Sequence, residues 1–208
     1  MMKRVHILMY HRVGHFPGRV TAHGALYCHL PRFKAQMTMF KLLGYEVISL
    51  DAAAAGLRGD APLPARPLVL TFDDAYVDFL DNAAPVLKAH GYPATIYAVS
   101  GLVGTTSSWD YGVGPEPAPL MNAAQLREVQ DMGFTIGSHS KSHLRLAQQD
   151  DACITAELAD SKSALEDLLG RRRVERRCGG RLGAAVVVVH GVLAHARQPR
   201  GEEPLVGL

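Results

Sequence analysis

The sequence predicts an α/β fold built on a parallel sheet or barrel. Short apolar runs alternate with amphipathic segments along the first 170 residues, the pattern of repeated strand–helix units. Two of these runs end in chemistry-bearing side chains: Leu68-Val69-Leu70 leads into Thr71-Phe72-Asp73-Asp74, and Phe134-Thr135-Ile136-Gly137-Ser138 leads into His139-Ser140-Lys141-Ser142-His143. The C-terminal ends of parallel strands are where α/β folds carry their active sites. At 208 residues the chain has the length of one domain and can bury a substantial core.

Taken in order, Val5 to Tyr10 reads as a first buried strand. Residues 14–31 mix Gly, Pro and His without periodicity and read as a long loop. Arg32 to Leu43 places Phe33, Met37, Phe40 and Leu43 at helical spacing, with Gly44 as C-cap. Glu46 to Leu50 reads as a second strand, and the Ala/Gly/Pro-rich stretch Asp51 to Pro67 as a linker. Leu68 to Phe72 is the third strand. Tyr76 to His90 reads as a helix, with Pro85 expected to break or kink it. Ala94 to Val99 is a fourth strand, and residues 101–120 form a second long loop. Asn122 to Met132 is a helix capped by Asn122. Phe134 to Ser138 is the fifth strand, and Asp150 to Leu169 is a long helix closed by Gly170. An eight-unit barrel needs about 250 residues, so the chain is short for one.

Composition changes abruptly at Arg171. The last 38 residues contain eight arginines and no aromatic residue, whereas all fourteen aromatics lie before residue 135. A basic tail and a coding-frame change in a GC-rich gene both produce such text, and the frame change is the favoured expectation. The division is therefore residues 1–170 as the functional unit and 171–208 as an atypical tail. A formal charge of +2 makes no case for a nucleic-acid partner. No apolar run is long enough to span a bilayer. The N-terminal run is too short for a signal peptide, so the default expectation is cytoplasmic. Cys28, Cys153 and Cys178 form no metal-binding pair and no disulfide framework, which fits a reducing compartment.

Two carboxylates and two imidazoles suit a divalent metal with a base beside it. Imidazole and carboxylate are good ligands for zinc, and three protein ligands leave a coordination position open for water. The spacing of His139 and His143 brings the imidazoles to one side of a helical turn or tight loop. Adjacent residues at a strand end point to opposite sides, so Asp73 and Asp74 can play different roles, one ligating while the other accepts a proton. Ser138, Ser140 and Ser142 can orient ligands. Each motif alone has an ordinary reading, Asp-Asp as a turn or helix cap and HxxxH as a chance spacing; their joint placement at strand ends carries the weight. His11, ending the first strand, is a candidate for the same mouth, and Trp109-Asp110-Tyr111 a candidate floor for a sugar.

The same residues resemble the polysaccharide deacetylase family, the NodB-homology carbohydrate esterases, over roughly residues 3–170. Thr71-Phe72-Asp73-Asp74 looks like the family's TFDD motif and His139 to His143 like its H-[ST]-x-x-H motif. Ile7 to Val13, Phe33 to Met37 and Gly44 to Leu50 are similar to the exopolysaccharide-associated subgroup. The resemblance implies a distorted (β/α)7 barrel, here incomplete at its C-terminal end. It implies metal-dependent hydrolysis of N-acetyl groups on amino-sugar glycans, releasing acetate. Asp73 would be the general base, and Asp74, His139 and His143 the metal ligands. Zinc is the foremost metal, with cobalt or nickel as alternatives. The family's third motif is missing where it should follow the long helix: Val174 to Gly180 stands there instead. His190, after Val186 to Val189, only superficially resembles the late Leu-x-His motif that supplies the acid for the leaving amine. Two alternatives stand beside the enzyme: a truncated, non-catalytic homologue that binds at most metal or sugar, and, more remotely, a metal-independent C–N hydrolase on the same scaffold.

Overall fold

The computed structural model describes residues 4–16, 26–107 and 117–170, together with the backbone of 186–189 and 192–195. Strand β1 (His6–Tyr10) leads into a short pair, β2 (Arg12–Gly14) and β3 (Tyr27–His29), then helix α1 (Leu30–Leu42). Strand β4 (Glu46–Val47), helix α2 (Leu50–Arg58) and strand β5 (Pro67–Phe72) follow. A π-helical turn, Phe79–Ala83, runs into α3 (Ala84–His90). Then come β6 (Thr95–Ala98), α4 (Ala123–Asp131), β7 (Thr135–Ser138) and α5 (Asp151–Leu169). The backbone of β8 (Val186–Val189) and β9 (Val192–His195) forms an antiparallel pair.

The main sheet is parallel, in the order β1-β5-β6-β7. Leu68 pairs with both His6 and Val47, and Phe72 with both Tyr10 and Ile96. Strand β1 thus takes one edge of β5, while β4 and β6 share the other at its two ends. Among the described residues the sheet is open and no barrel closes. Every residue of β5 is buried, as expected of a parallel strand covered on both faces. The expected burial of the first strand does not hold. Leu8 and Met9 are 36% and 38% exposed, because among the described residues β1 pairs only with β5 in the main sheet.

Beneath the sheet an aromatic chain runs from Tyr10 through Phe33, Phe72 and Phe79 to Phe134, with successive ring centroids 4.8–6.0 Å apart and mostly edge-to-face. It ties β1, α1, β5, the π-turn and the entry to β7 into one core.

Three local expectations change. The Asp51–Pro67 linker contains α2: Ser49 accepts a hydrogen bond from the Ala52 amide at 3.1 Å as N-cap, and Gly59 closes the helix at φ 89°. Pro85 does not start a turn: residues 77–90 form one helical run, and the proline stands directly after its π-helical stretch, where the regular ladder is already interrupted. Part of the loop expected over 14–31 is ordered as β3 and the start of α1. No described helix is long and apolar enough to cross a membrane.

Candidate metal centre and active site

Strand β5 delivers the two carboxylates. The Asp73 amide donates to Tyr10 O at 2.9 Å, extending the β1–β5 ladder by one residue. The chain then turns through left-handed conformations at Asp74 (φ 70°) and Ala75 (φ 54°). The turn is tied down from the opposite side, where the Met121 amide donates to Ala75 O and the Val77 amide to Pro119 O. Asp73 and Asp74 are 1% and 3% exposed.

Strand β7 delivers the histidines. The His139 amide donates to Ala98 O at 2.9 Å, continuing the β6–β7 ladder. The spacing of four does not place His139 and His143 on a helix. The segment is an irregular loop with Ser140 at φ 65° and His143 at φ 58°. Among the described residues Asp74, Ala75, Ser140 and His143 are the only non-glycines with positive φ. Such conformations cost about 1–3 kcal/mol each and concentrate where function demands a particular backbone.

The two segments meet. Asp74 Oδ1 lies 3.4 Å from His139 Nε2 and 3.2 Å from His143 Nε2. One ligand atom from each of the three residues lies within 4.8 Å of the others. The carboxylate–imidazole contacts are charge contacts rather than well-formed hydrogen bonds: they exceed the usual 2.7–2.9 Å of a charge-assisted bond, and Asp74 Oδ1 has no partner of good geometry. They do match two ligands of one tetrahedral ion, which at about 2.0–2.1 Å from zinc stand about 3.3–3.4 Å apart. Both Asp73 oxygens are likewise buried without a hydrogen bond, a costly state for a polar group. The donor set and the orphaned oxygens together fit a divalent cation held by Asp74, His139 and His143.

The two carboxyls are driven apart electrostatically. Burial, reinforced by the charge of Asp74, pushes Asp73 up to about 8. Burial acts upward on Asp74 too, but contact with His143 and the charges of His139, His143 and His11 outweigh it and hold Asp74 below the usual carboxylate range. The environment thus favours the anion at Asp74 and the proton at its neighbour Asp73.

His11 does reach this mouth: its Nε2 lies 3.9 Å from Asp73 Oδ2. Ser140 accepts a hydrogen bond from the His143 amide at 3.2 Å, and Ser138 donates to Ser161 at 2.7 Å. Trp109, Asp110, Tyr111 and His190 lie outside the described residues. Two contributors are not apparent from sequence. Glu157 and Ser161 on α5 grip the histidine loop, yet polar residues four apart on a helix read as a solvated face.

The family model for polysaccharide deacetylase matches residues 60–184, more than half of the chain. The chain belongs to the polysaccharide deacetylase family. Among curated deacetylases it is 27% identical over 162 residues to the putative polysaccharide deacetylase YxkH of Bacillus subtilis, covering 78% of this chain and 51% of the relative. It is 32% identical over 99 residues to the poly-beta-1,6-N-acetyl-D-glucosamine N-deacetylase of Escherichia coli K12, covering 48% and 15%. The chain thus spans about half the length of one relative and a smaller part of the other. The fold is similar to that of the Streptococcus pyogenes deacetylase PplD in complex with acetate, with TM-score 0.66 and 24% identity over 83% of this chain and 72% of that one. It is also similar to a Bacillus cereus polysaccharide deacetylase, with TM-score 0.61 and 27% identity over 81% and 48%.

Proposed function

We propose that the chain is a metal-dependent N-deacetylase of amino-sugar glycans, with Asp74, His139 and His143 as metal ligands and Asp73 as general base. The observation that carries this reading is the convergence of Asp74 Oδ1 with both imidazoles at 3.2–3.4 Å, with the Asp73 carboxyl, buried without a hydrogen bond, next in sequence. A divalent ion, zinc foremost and cobalt or nickel as alternatives, supplies Lewis acidity and a water whose pKa is lowered towards neutrality. The Asp74 carboxylate and the His139 and His143 imidazoles offer the donor set. Asp73 takes the proton of the attacking water, a role suited to a base that titrates near neutral pH. Positive charge at the three-ligand centre favours its ionised form. Water adds across the amide C–N bond, the acyl group leaves as acetate, and the sugar keeps a free amine.

The activity named for the Escherichia coli relative makes polymers of N-acetylglucosamine the first substrates to try. We read the open sheet as the described part of a (β/α)7-type barrel. We read residues 1–170 as the catalytic unit and 171–208 as an atypical tail whose composition a frame shift explains, although the family match runs on to residue 184. An intact reading frame through codon 208 of the gene would contradict that last assignment. Acetate release from poly-β-1,6-N-acetylglucosamine or chitin oligomers, by metal-stripped protein reloaded with zinc or cobalt, tests the proposal. Metal-dependent release supports it, and release insensitive to chelation contradicts it. The exposed β1 edge, with Leu8 and Met9 at 36% and 38% exposure, favours a second reading: a homologue that binds metal without turnover. Stoichiometric metal binding with no acetate release would select that second reading.

A further inference from the structure

Beyond the bond from the His143 amide to Ser140 Oγ, the histidine loop is held from outside. From one side, the Ser100 amide donates to Ser140 O at 3.2 Å and the Gly101 amide to Lys141 O at 2.9 Å. Gly101 is needed there, since a Cβ would stand 2.6 Å from Lys141 O. From the other side, one oxygen of Glu157, Oε2, accepts both the Lys141 amide at 2.9 Å and the Ser142 amide at 2.8 Å. One turn further along α5, Ser161 donates to Ser140 O at 2.9 Å and accepts from Ser138.

Glu157, Ser161, Leu165 and Leu169 are the buried residues of α5, each four after the last. The second pair are the leucines that a core-facing stripe calls for. The first pair are polar, where burial without partners would be costly, and both bond to the loop, Glu157 through Oε2 and Ser161 to Ser140 O and to Ser138 just before it. Successive amides converging on one carboxylate form a backbone anion nest, here filled by the protein's own Glu157. The gripped residues lie between the left-handed turns at Ser140 and His143, which set the direction of the His143 imidazole.

We infer that Glu157 is a positioning residue for the metal centre: through the Lys141 and Ser142 amides it holds the strained loop in the one shape that aims His143 at Asp74, and Ser161 assists it. The inference rests on the reading of Asp74, His139 and His143 as ligands. It differs from the surface contact nearby, the Lys141–Asp160 ion pair, whose side chains are 51% and 54% exposed.

The test uses the full chain, stripped of metal and titrated with Co2+. Wild-type protein, Glu157→Ala, Glu157→Gln, Ser161→Ala and, as control, Asp160→Asn are compared. Glu157→Ala is expected to weaken Co2+ binding about 10- to 100-fold and to alter the cobalt absorption spectrum. Glu157→Gln, which keeps an acceptor oxygen, should recover most of the affinity. Ser161→Ala should lose only a few-fold, and Asp160→Asn nothing. Hydrogen exchange on the metal-free proteins gives a second readout. Glu157→Ala, or Glu157→Gln should the alanine variant not fold, is expected to speed exchange at the Lys141 and Ser142 amides selectively. A lower unfolding midpoint with unchanged cobalt affinity, spectrum and local exchange would overturn the inference. Wild-type protein that binds no cobalt would instead sink the ligand assignment, while the exchange readout still decides whether Glu157 holds the loop.

Discussion

The two halves of the site are held by different means. The carboxylate turn is the end of a strand buried along its whole length: packing places it, with Phe72, immediately before Asp73, stacked on Tyr10 and edge-on to Phe79 at 4.8 Å, and backbone bonds alone, from Asp73 to Tyr10, Met121 to Ala75 and Val77 to Pro119, fix the turn that follows. The histidine segment leaves its strand and becomes an irregular loop, positioned by amides, carbonyls and the buried side chains of α5. Packing places a backbone well but says little about the direction of a side chain past the strand end. Hydrogen bonds fix direction but fail when one acceptor is lost. A site that must place three ligand atoms within a few ångströms uses both.

The largest effects should come from breaking the meeting point itself. Asp74→Ala and His143→Ala are each expected to abolish stoichiometric metal binding and lower acetate release by at least about a thousandfold, the scale of several kcal/mol of transition-state stabilisation. Calorimetric metal titration beside an acetate assay checks this. Asp73→Asn should leave metal bound and lower kcat by about 10²–10⁴-fold, the usual worth of a general base. Equal loss of metal binding in that variant would show that Asp73 ligates as well.

Breaking the packed half should cost stability first. Phe79 is 1% exposed and lies between Phe72 and Phe134. Its replacement by Ala is expected to cost about 3–5 kcal/mol in urea unfolding, whereas changes in the hydrogen-bonded loop should act on affinity more than on stability.

The metal-free protein should also show the split between the carboxyls in its pH dependence. Asp73 keeps its proton in the folded state up to about 8 but releases it near 3.8 when unfolded. Between those values the folded state binds the extra proton, so stability falls as pH rises from about 4 to about 8. Asp74, shifted the other way, contributes above its unfolded value and loses that contribution as pH falls below it. Denaturant midpoints at pH 5 and pH 8 should therefore differ in favour of pH 5, and Asp73→Asn should flatten the slope. The smallest effect is expected from Lys141→Ala. It removes the exposed pair with Asp160, a kind of contact that contributes little in water, and leaves the amide that Glu157 grips. Metal affinity in that variant should stay within a few-fold of wild type.

The same difference explains what is legible in the sequence. Strands β5 and β7 announce themselves as apolar runs ending in polar clusters, so Asp73, Asp74 and His139 are legible with their setting. His143 is legible as a residue but not in its geometry: the imidazoles meet through left-handed turns at Ser140 and His143, not through helical spacing. Glu157 and Ser161 are invisible because their partners are backbone amides, hydroxyls and carbonyls, which leave no trace in residue spacing. Helix α2 is obscured because Ala and Gly dominate it; Ser49 and Gly59 are the caps that could reveal it.

The central claim is that one ion joins the packed carboxylate to the loop histidines. A crystal structure of zinc-loaded protein at neutral pH, with anomalous diffraction at the zinc edge, tests it most directly. The expected result is a single ion bonded to Asp74, His139 and His143 at about 2.0–2.2 Å, with Asp73 beside it and unbonded. An ion held elsewhere, or a zinc-saturated crystal with none of the three within bonding distance, would contradict it.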